Sequence, residues 1–170
     1  MGEGMTGSYA EQIATSVIAA LAGNGAPVWA VQGFTAEFQR MYLIDLEKLA
    51  PAGGATENMQ MVFAPVEESY ERPGWGGVRI TVTLGVLFNV KVLMANKEIT
   101  DPKLGDYERL VDQFVTWIMG AWKFGSDDGY QFDARDPVVV KGDHYNDHLY
   151  EKEEFHVPVI LDFVTDQTLN

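Results

Sequence analysis

The chain has 170 residues, of which 46% are hydrophobic and 22% charged, as is typical of one folded globular domain. Its formal net charge of -13 disfavours a general nucleic-acid binder, because such proteins grip phosphates with cations. The absence of cysteine excludes disulfide frameworks, thiol nucleophiles and iron–sulfur clusters. No apolar run reaches the roughly 18 to 20 residues that cross a bilayer, so no membrane partner is expected.

The first predicted element is a helix that begins after Ser8. Ser8 and Glu11 form a capping box, in which each side chain can satisfy an amide at the helix start. Ile13, Val17 and Leu21 then recur at the spacing of one helical face. Residues 30–46 are mixed in pattern, and the alternation around Phe34, Ala36 and Phe38 favours a strand there.

A long β-hairpin is the clearest prediction in the chain. Apolar residues alternate with polar ones along residues 78–93, which predicts a strand with one buried and one solvated face. Residues 59–70 are its predicted partner, with Val62, Ala64, Val66 and Glu68 on one face. Residues 72–77 would then form the tip of the hairpin.

A second helix is predicted after Asp101 and Pro102, which suit its cap and its first position. Its core stripe comprises Leu104, Tyr107, Val111, Phe114, Ile118 and Trp122. Leu110, Val115, Trp117 and Met119 fall outside that stripe. This surplus of apolar side chains fits either a contact with another subunit or a broad core.

The last predicted element is a strand over residues 155–163, where apolar residues again alternate with others. Pro158 lies within it and cannot donate a hydrogen bond to a neighbouring strand. We therefore expect this strand at an edge of the sheet. The elements together predict that residues 1–170 form a single α+β domain. In that domain a mostly antiparallel (mixed) β-sheet with a long hairpin packs against two α-helices.

Motifs for catalysis and cofactors are missing from the sequence. It has no G-x-G-x-x-G, Walker-type, G-x-S-x-G or H-E-x-x-H motif, so we expect neither a catalytic site nor a cofactor. His144 and His148, with Asp147 between them, could chelate a divalent ion from one helical face. The alternative is a polar surface connection, because no third histidine or cysteine stands at a diagnostic spacing.

The predicted hairpin tip carries Arg72 and Trp75, with glycines on both sides of the tryptophan. An exposed indole on a loop is a plausible anchor for a protein contact. The alternative is that the ring folds back onto its own domain. The candidate interaction residues are Arg72, Trp75, Leu110, Trp117, Met119 and Pro158.

The order of elements is helix, strand, long hairpin with an Arg-Pro-Gly tip, helix and closing strand. It resembles the small tail-terminator or tail-completion proteins of long-tailed bacteriophages. The residues that carry the resemblance are Met61-Val62-Phe63-Ala64-Pro65, Glu71-Arg72, the alternating residues 78–92, the helix 110–120 and the closing stretch 149–159. The segment 124–142 is longer and more polar than that family's pattern.

The resemblance implies a non-enzymatic virion protein, made in the host cytoplasm and built into the neck. It implies a homo-oligomer, a hexameric ring that caps the tail tube, meets the head–tail connector or stopper protein and lets DNA pass without specific binding. Acidic residues that line such a channel would let the duplex slide, although an acidic surplus also serves solubility. The alternatives are a tail-tube or head-completion protein, and a small enzyme or ligand-binding domain that uses the His144/His148 cluster.

Overall fold

A computed structural model of the protein describes residues 7–23, 25–47, 59–96, 98–120, 124–125, 130–139 and 153–168. The helices are α1 (Tyr9–Leu21), α2 (Leu43–Glu47) and α3 (Leu104–Gly120). The strands are β1 (Thr35–Phe38), β2 (Gln60–Glu71), β3 (Gly77–Lys91), β4 (Met94–Ala95), β5 (Glu98–Ile99), β6 (Phe124–Gly125), β7 (Gln131–Val139) and β8 (Glu154–Thr168). The expected α+β class is confirmed.

Six strands form one curled sheet in the order β1-β2-β3-β8-β7-β6. The sheet is mixed, because β1 runs parallel to β2 while every other neighbouring pair is antiparallel. The predicted hairpin of β2 and β3 is therefore confirmed. Helices α1 and α3 pack on one face of the sheet and build the main core with it.

Helix α1 begins as its sequence predicts. The Ser8 hydroxyl oxygen accepts a hydrogen bond from the Glu11 backbone N–H at 3.3 Å, which satisfies one amide of the first turn. Ile13, Val17 and Leu21 are buried against the sheet. The Glu11 carboxylate pairs with Arg40, so the start of α1 is also tied to the segment that follows β1.

Helix α3 follows an aspartate that organises the turn before it. The Asp101 carboxylate accepts hydrogen bonds from the backbone N–H groups of Lys103 at 2.9 Å and Leu93 at 3.1 Å. The placement of Leu110 outside the core stripe is wrong, because Leu110 is fully buried. The apolar surface of α3 is thus mostly a broad core. Trp122 lies outside the described residues.

The strand predicted for residues 30–46 is correct only for β1. The chain before β1 is held against α3, because the Gln113 side-chain amide accepts from the Ala30 N–H at 2.8 Å and donates to the Val28 carbonyl at 3.1 Å. After β1 the chain turns into α2, which crosses the opposite face of the sheet. Leu46 of α2 is buried there with Val62, Ala64 and Leu87.

This second core corrects the prediction of one solvated face on β3. Thr81 and Thr83 are half-buried, whereas Gly85, Leu87 and Asn89 on the same face are buried. The solvated face therefore holds only for the half of β3 near the hairpin tip. An alternating pattern reports which residues share a face, but it does not show whether a distant helix covers the polar one.

A β-bulge at Val66 corrects the predicted faces of β2. Pro65 pairs with Leu84 while Glu67 pairs with Thr83, so Val66 is an extra residue in the ladder. Glu68 consequently pairs with Val82 and lies on the α1 side of the sheet, not on the side of Val62 and Ala64. Its carboxylate accepts a hydrogen bond from the Ala10 backbone N–H at 3.3 Å, in the first turn of α1.

The prediction that β8 is an edge strand is wrong. β8 lies between β3 and β7, and Pro158 is buried opposite Leu87 of β3. An interior strand tolerates this proline because the described β7 pairs end at Val159, so no described residue of β7 is paired with Pro158. The strands β6 and β7 are not predicted by the sequence pattern at all.

Phe114 is the centre of the main core, and it yields a stability prediction. Its ring contacts Phe88, Phe63 and Trp117 at centroid distances of 5.3, 6.2 and 6.2 Å. We expect Phe114→Ala to lower the free energy of unfolding by about 3–5 kcal/mol, because it leaves a cavity. Met119→Ala on the exposed side of α3 should change it by less than about 0.5 kcal/mol. Urea denaturation followed by circular dichroism measures both, and equal losses would contradict this packing.

Tyr107 yields a prediction at alkaline pH. Burial raises the pKa of its phenol to about 12, with further contributions from Asp101 and Asp106. In the unfolded chain the phenol ionises near its ordinary pKa of 10. Stability from this group is therefore lost as the pH rises from about 10 toward 12, since only the unfolded state gives up the proton. Spectrophotometric titration near 295 nm should show a late step that Tyr107→Phe removes; an unchanged titration of Tyr107→Phe would refute the assignment.

Candidate interaction surfaces

The described residues offer neither a metal cluster nor a membrane helix. No group of three or more His, Asp or Glu side chains in the described part of the chain could hold a metal ion. No helix among those residues is long and apolar enough to span a membrane. His144, Asp147 and His148 lie outside the described residues, so the two interpretations of that cluster stay open.

The hairpin tip projects beyond the β2–β3 ladder. It turns at residues 73–76, where the Gly76 N–H donates to the Pro73 carbonyl at 3.4 Å and Gly76 adopts a φ of 84°. Arg72 is exposed, and the Trp75 side chain is 47% exposed. The indole lies over Gly77, in the space that a Cβ would fill, so residue 77 must be glycine for this approach. Trp75 thus contacts its own strand while about half of the residue stays exposed.

The part of the sheet near the hairpin tip has one face without a helix in the described chain. The register places on it side chains that point away from α1 and α3, and we call this set the acidic face: Glu67, Glu71, Arg79, Asp133, Arg135, Asp162 and Asp166. All of them are exposed or half-buried. Acidic groups outnumber the two arginines, so this surface is polar and carries net negative charge.

Hydrogen bonds between neighbouring strands order the acidic face. Arg79 Nε donates to Asp166 Oδ1 at 2.7 Å, and Nη2 donates to Oδ2 at 3.2 Å. This hydrogen bonding lowers the pKa of Asp166 and raises that of Arg79. The Thr83 hydroxyl donates to Asp162 Oδ1 at 2.6 Å. The Asp162 and Asp166 carboxylates are therefore held in position across β3 and β8.

The strands β2 and β7 lie next to the two ends of the sheet, and each has a stretch of backbone without a neighbouring strand in the described chain. β1 pairs with β2 only as far as Phe63, with one more hydrogen bond from the Gln39 N–H to the Phe63 carbonyl at 2.8 Å. β6 pairs with β7 only at Gln131 and Phe132. We call residues 65–71 the β2 edge and residues 133–139 the β7 edge.

A cleft of about 670 Å³ runs beside the β2 edge. Pro65, Val66, Glu67 and Glu68 line one wall, and residues 40–42 with Asp45 line the other. Tyr42 is 79% exposed, and Ile44 and Val66 also present apolar atoms to solvent. These residues were not among the candidates from the sequence, because their exposure follows from the position of α2 and from the bulge at Val66.

The sequence-predicted interaction residues do not come together in one site. Arg72 and Trp75 share the hairpin tip, whereas Leu110 and Pro158 are buried and offer no surface. Trp117 is half-buried, with its ring edge-on to Trp29 at 5.5 Å. Met119 is exposed at the end of α3. Leu110 and Pro158 are therefore withdrawn as contact residues, while the contacts of the other four stay predictions.

No model of a known protein family matches this chain, and no curated protein matches it either.

Glu68 yields a prediction about the link between the β2 edge and α1. Its carboxylate lies near the positive end of the helix and accepts from Ala10, so Glu68→Ala should lower the free energy of unfolding by about 0.5–2 kcal/mol. The matched control is Glu67→Ala, one residue away on the opposite face, with an expected change within about 0.5 kcal/mol. Chemical denaturation measures both variants. Equal losses would show that the contact with α1 adds nothing.

Proposed function

We propose that the protein is a structural subunit of a bacteriophage neck. Six copies form a ring that ends the tail tube and joins it to the head–tail connector or stopper protein, and DNA passes through the channel. The protein is made in the host cytoplasm and becomes part of the virion. The order of helices and strands that resembles tail terminators supports this proposal, as does the acidic face.

The acidic face is the observation that carries the proposal. A sheet normally buries a face under helices, and here α1 and α3 cover one face while the tip half of the other carries charged groups. A polar sheet surface suits the wall of a water-filled channel. Its net negative charge repels phosphates, so the wall guides a duplex without holding it.

The ends of the strands become the ends of the ring in this arrangement. The hairpin tip with Arg72 and Trp75 lies at one end of β2 and β3, and it extends past the paired strands. In a ring whose axis runs along the strands, six such tips surround one mouth of the channel. The tips are then the surface that meets the next component, the tail tube or the connector.

Assembly state and location test this proposal. Multi-angle light scattering and negative-stain microscopy of the purified protein should show single six-membered rings with a central channel. Immunogold labelling should place the protein in the virion neck, and duplex DNA at physiological salt should not bind. Long stacked tubes would favour a tail-tube protein instead. A protein that stays monomeric and is absent from the neck would refute the proposal.

A further inference from the structure

The two open edges of the sheet are complementary in position. The β2 edge and the β7 edge contain the same number of residues and lie at opposite ends of one strand order. Short flanking strands mask the remainder of each outer strand, β1 at the base of β2 and β6 at the start of β7. An exposed edge is a template for pairing with another strand, so both segments are suited to contact with a second chain.

The strand directions favour pairing between copies of this chain. Three successive antiparallel pairings connect β2 to β3, β3 to β8 and β8 to β7, so β2 and β7 run in opposite directions. A rotation about an axis along the strands keeps the direction of every strand. The β7 edge of a rotated copy therefore runs antiparallel to the β2 edge of the first, and the junction continues the ladder.

The register brings the open segments to the same height along the strands. Ser69, Thr81, Val164 and Asp133 form one row across the sheet. The row through Phe63, Val86 and Val159 ends at Val139. The rows that begin at residues 67–69 end at residues 133–135, so a copy rotated without a shift along the axis meets open backbone with open backbone along these rows. The row at Phe63 is instead covered by β1.

Charge complementarity identifies the closest side-chain pair. Glu67, Thr83, Asp162 and Arg135 form a single row on the acidic face. Glu67 and Arg135 stand at the two ends of this row, and both are exposed. Rotation without axial shift places Arg135 of one copy beside Glu67 of the next. Opposite charges at facing positions of neighbouring strands stabilise the pairing.

We propose that the β2 edge of one copy pairs antiparallel with the β7 edge of a second copy, with Glu67 facing Arg135, as the repeated contact of the ring. This inference rests on the proposed function for the number of copies, whereas the pairing of edges rests on the sheet itself. The contact joins two different surfaces, so it repeats in one direction and closes into a ring when the rotation allows. It also pairs backbone that has no neighbouring strand in the described part of the chain.

Single-cysteine cross-linking tests the contact, since the native chain contains no cysteine. Glu67→Cys and Arg135→Cys are prepared separately, mixed and treated with a short bis-maleimide reagent at high protein concentration. We expect covalent dimers in the mixture and none from either variant alone. The matched control replaces Glu67→Cys by Glu98→Cys, which removes the same charge at an exposed position away from both edges, and it should yield no dimer.

The outcomes separate the contact from the ring. Hexamers without cross-links in the mixture would overturn the edge pairing while the proposed function stands. Cross-linked dimers without hexamers would support the pairing and contradict a six-membered ring in solution. Absence of both would overturn the pairing, and it would refute the proposed function if the protein is also absent from the virion neck. Dimers from Glu67→Cys alone, in the amount that the mixture yields, would show that like edges meet and would also overturn the pairing.

Charge reversal provides a second measurement that does not depend on a reagent. Glu67→Arg and Arg135→Glu each place like charges at the junction, so each should weaken association by about threefold to tenfold. The double variant restores opposite charges and should recover the association of the native chain. Sedimentation velocity measures the association constants. A double variant as weak as the product of the two single effects would show that these side chains do not meet.

Discussion

The pairing of β3 with β8 is the constraint on which the remaining structure depends. Both strands are 15 residues long, and their register is unbroken from Gly77 opposite Thr168 to Lys91 opposite Glu154. This ladder joins a hairpin from the middle of the sequence to its last strand. It fixes which residues face α1 and α3, because one shift in register would turn every side chain of β8 to the other face.

The face of the sheet opposite α1 and α3 divides into two halves. Near the hairpin base, Leu46 of α2 covers Val62, Ala64 and Leu87, and the face is as apolar as an interior. Near the tip the same side of the sheet is the acidic face, which is open to solvent in the described chain. One strand can serve both halves because the bulge at Val66 changes the faces of β2 where the apolar cover ends.

Local patterns in the sequence predict the long elements correctly, and long-range contacts explain the errors. Period-two alternation is strong in β3 and β8, and Ser8 caps α1, so these elements follow from neighbouring residues alone. β7 contains Asp133, Arg135 and Pro137 and lacks the apolar alternation, since its place is set by pairing with β8. Pro158 indicated an edge, but it lies on an interior strand just past the last described pair with β7. Among the candidate site residues, the exposure of Trp75 and Met119 was predictable. The acidic face could be recognised only from the pairing register of four strands, which the sequence pattern does not give.

The acidic face places part of the chain's net charge of -13 on one surface, where carboxylates outnumber arginines. Carboxylates on adjacent strands repel one another, and such a cluster would weaken the sheet that carries it. Arg79 offsets this repulsion by pairing with Asp166. The Thr83 hydroxyl donates a hydrogen bond to Asp162 without adding a positive charge. The face therefore keeps its net negative sign while its strands stay paired. The cross-strand bonds hold Asp162 and Asp166 in place beside β3, so two of the carboxylates are ordered by the same pairing that orders the sheet.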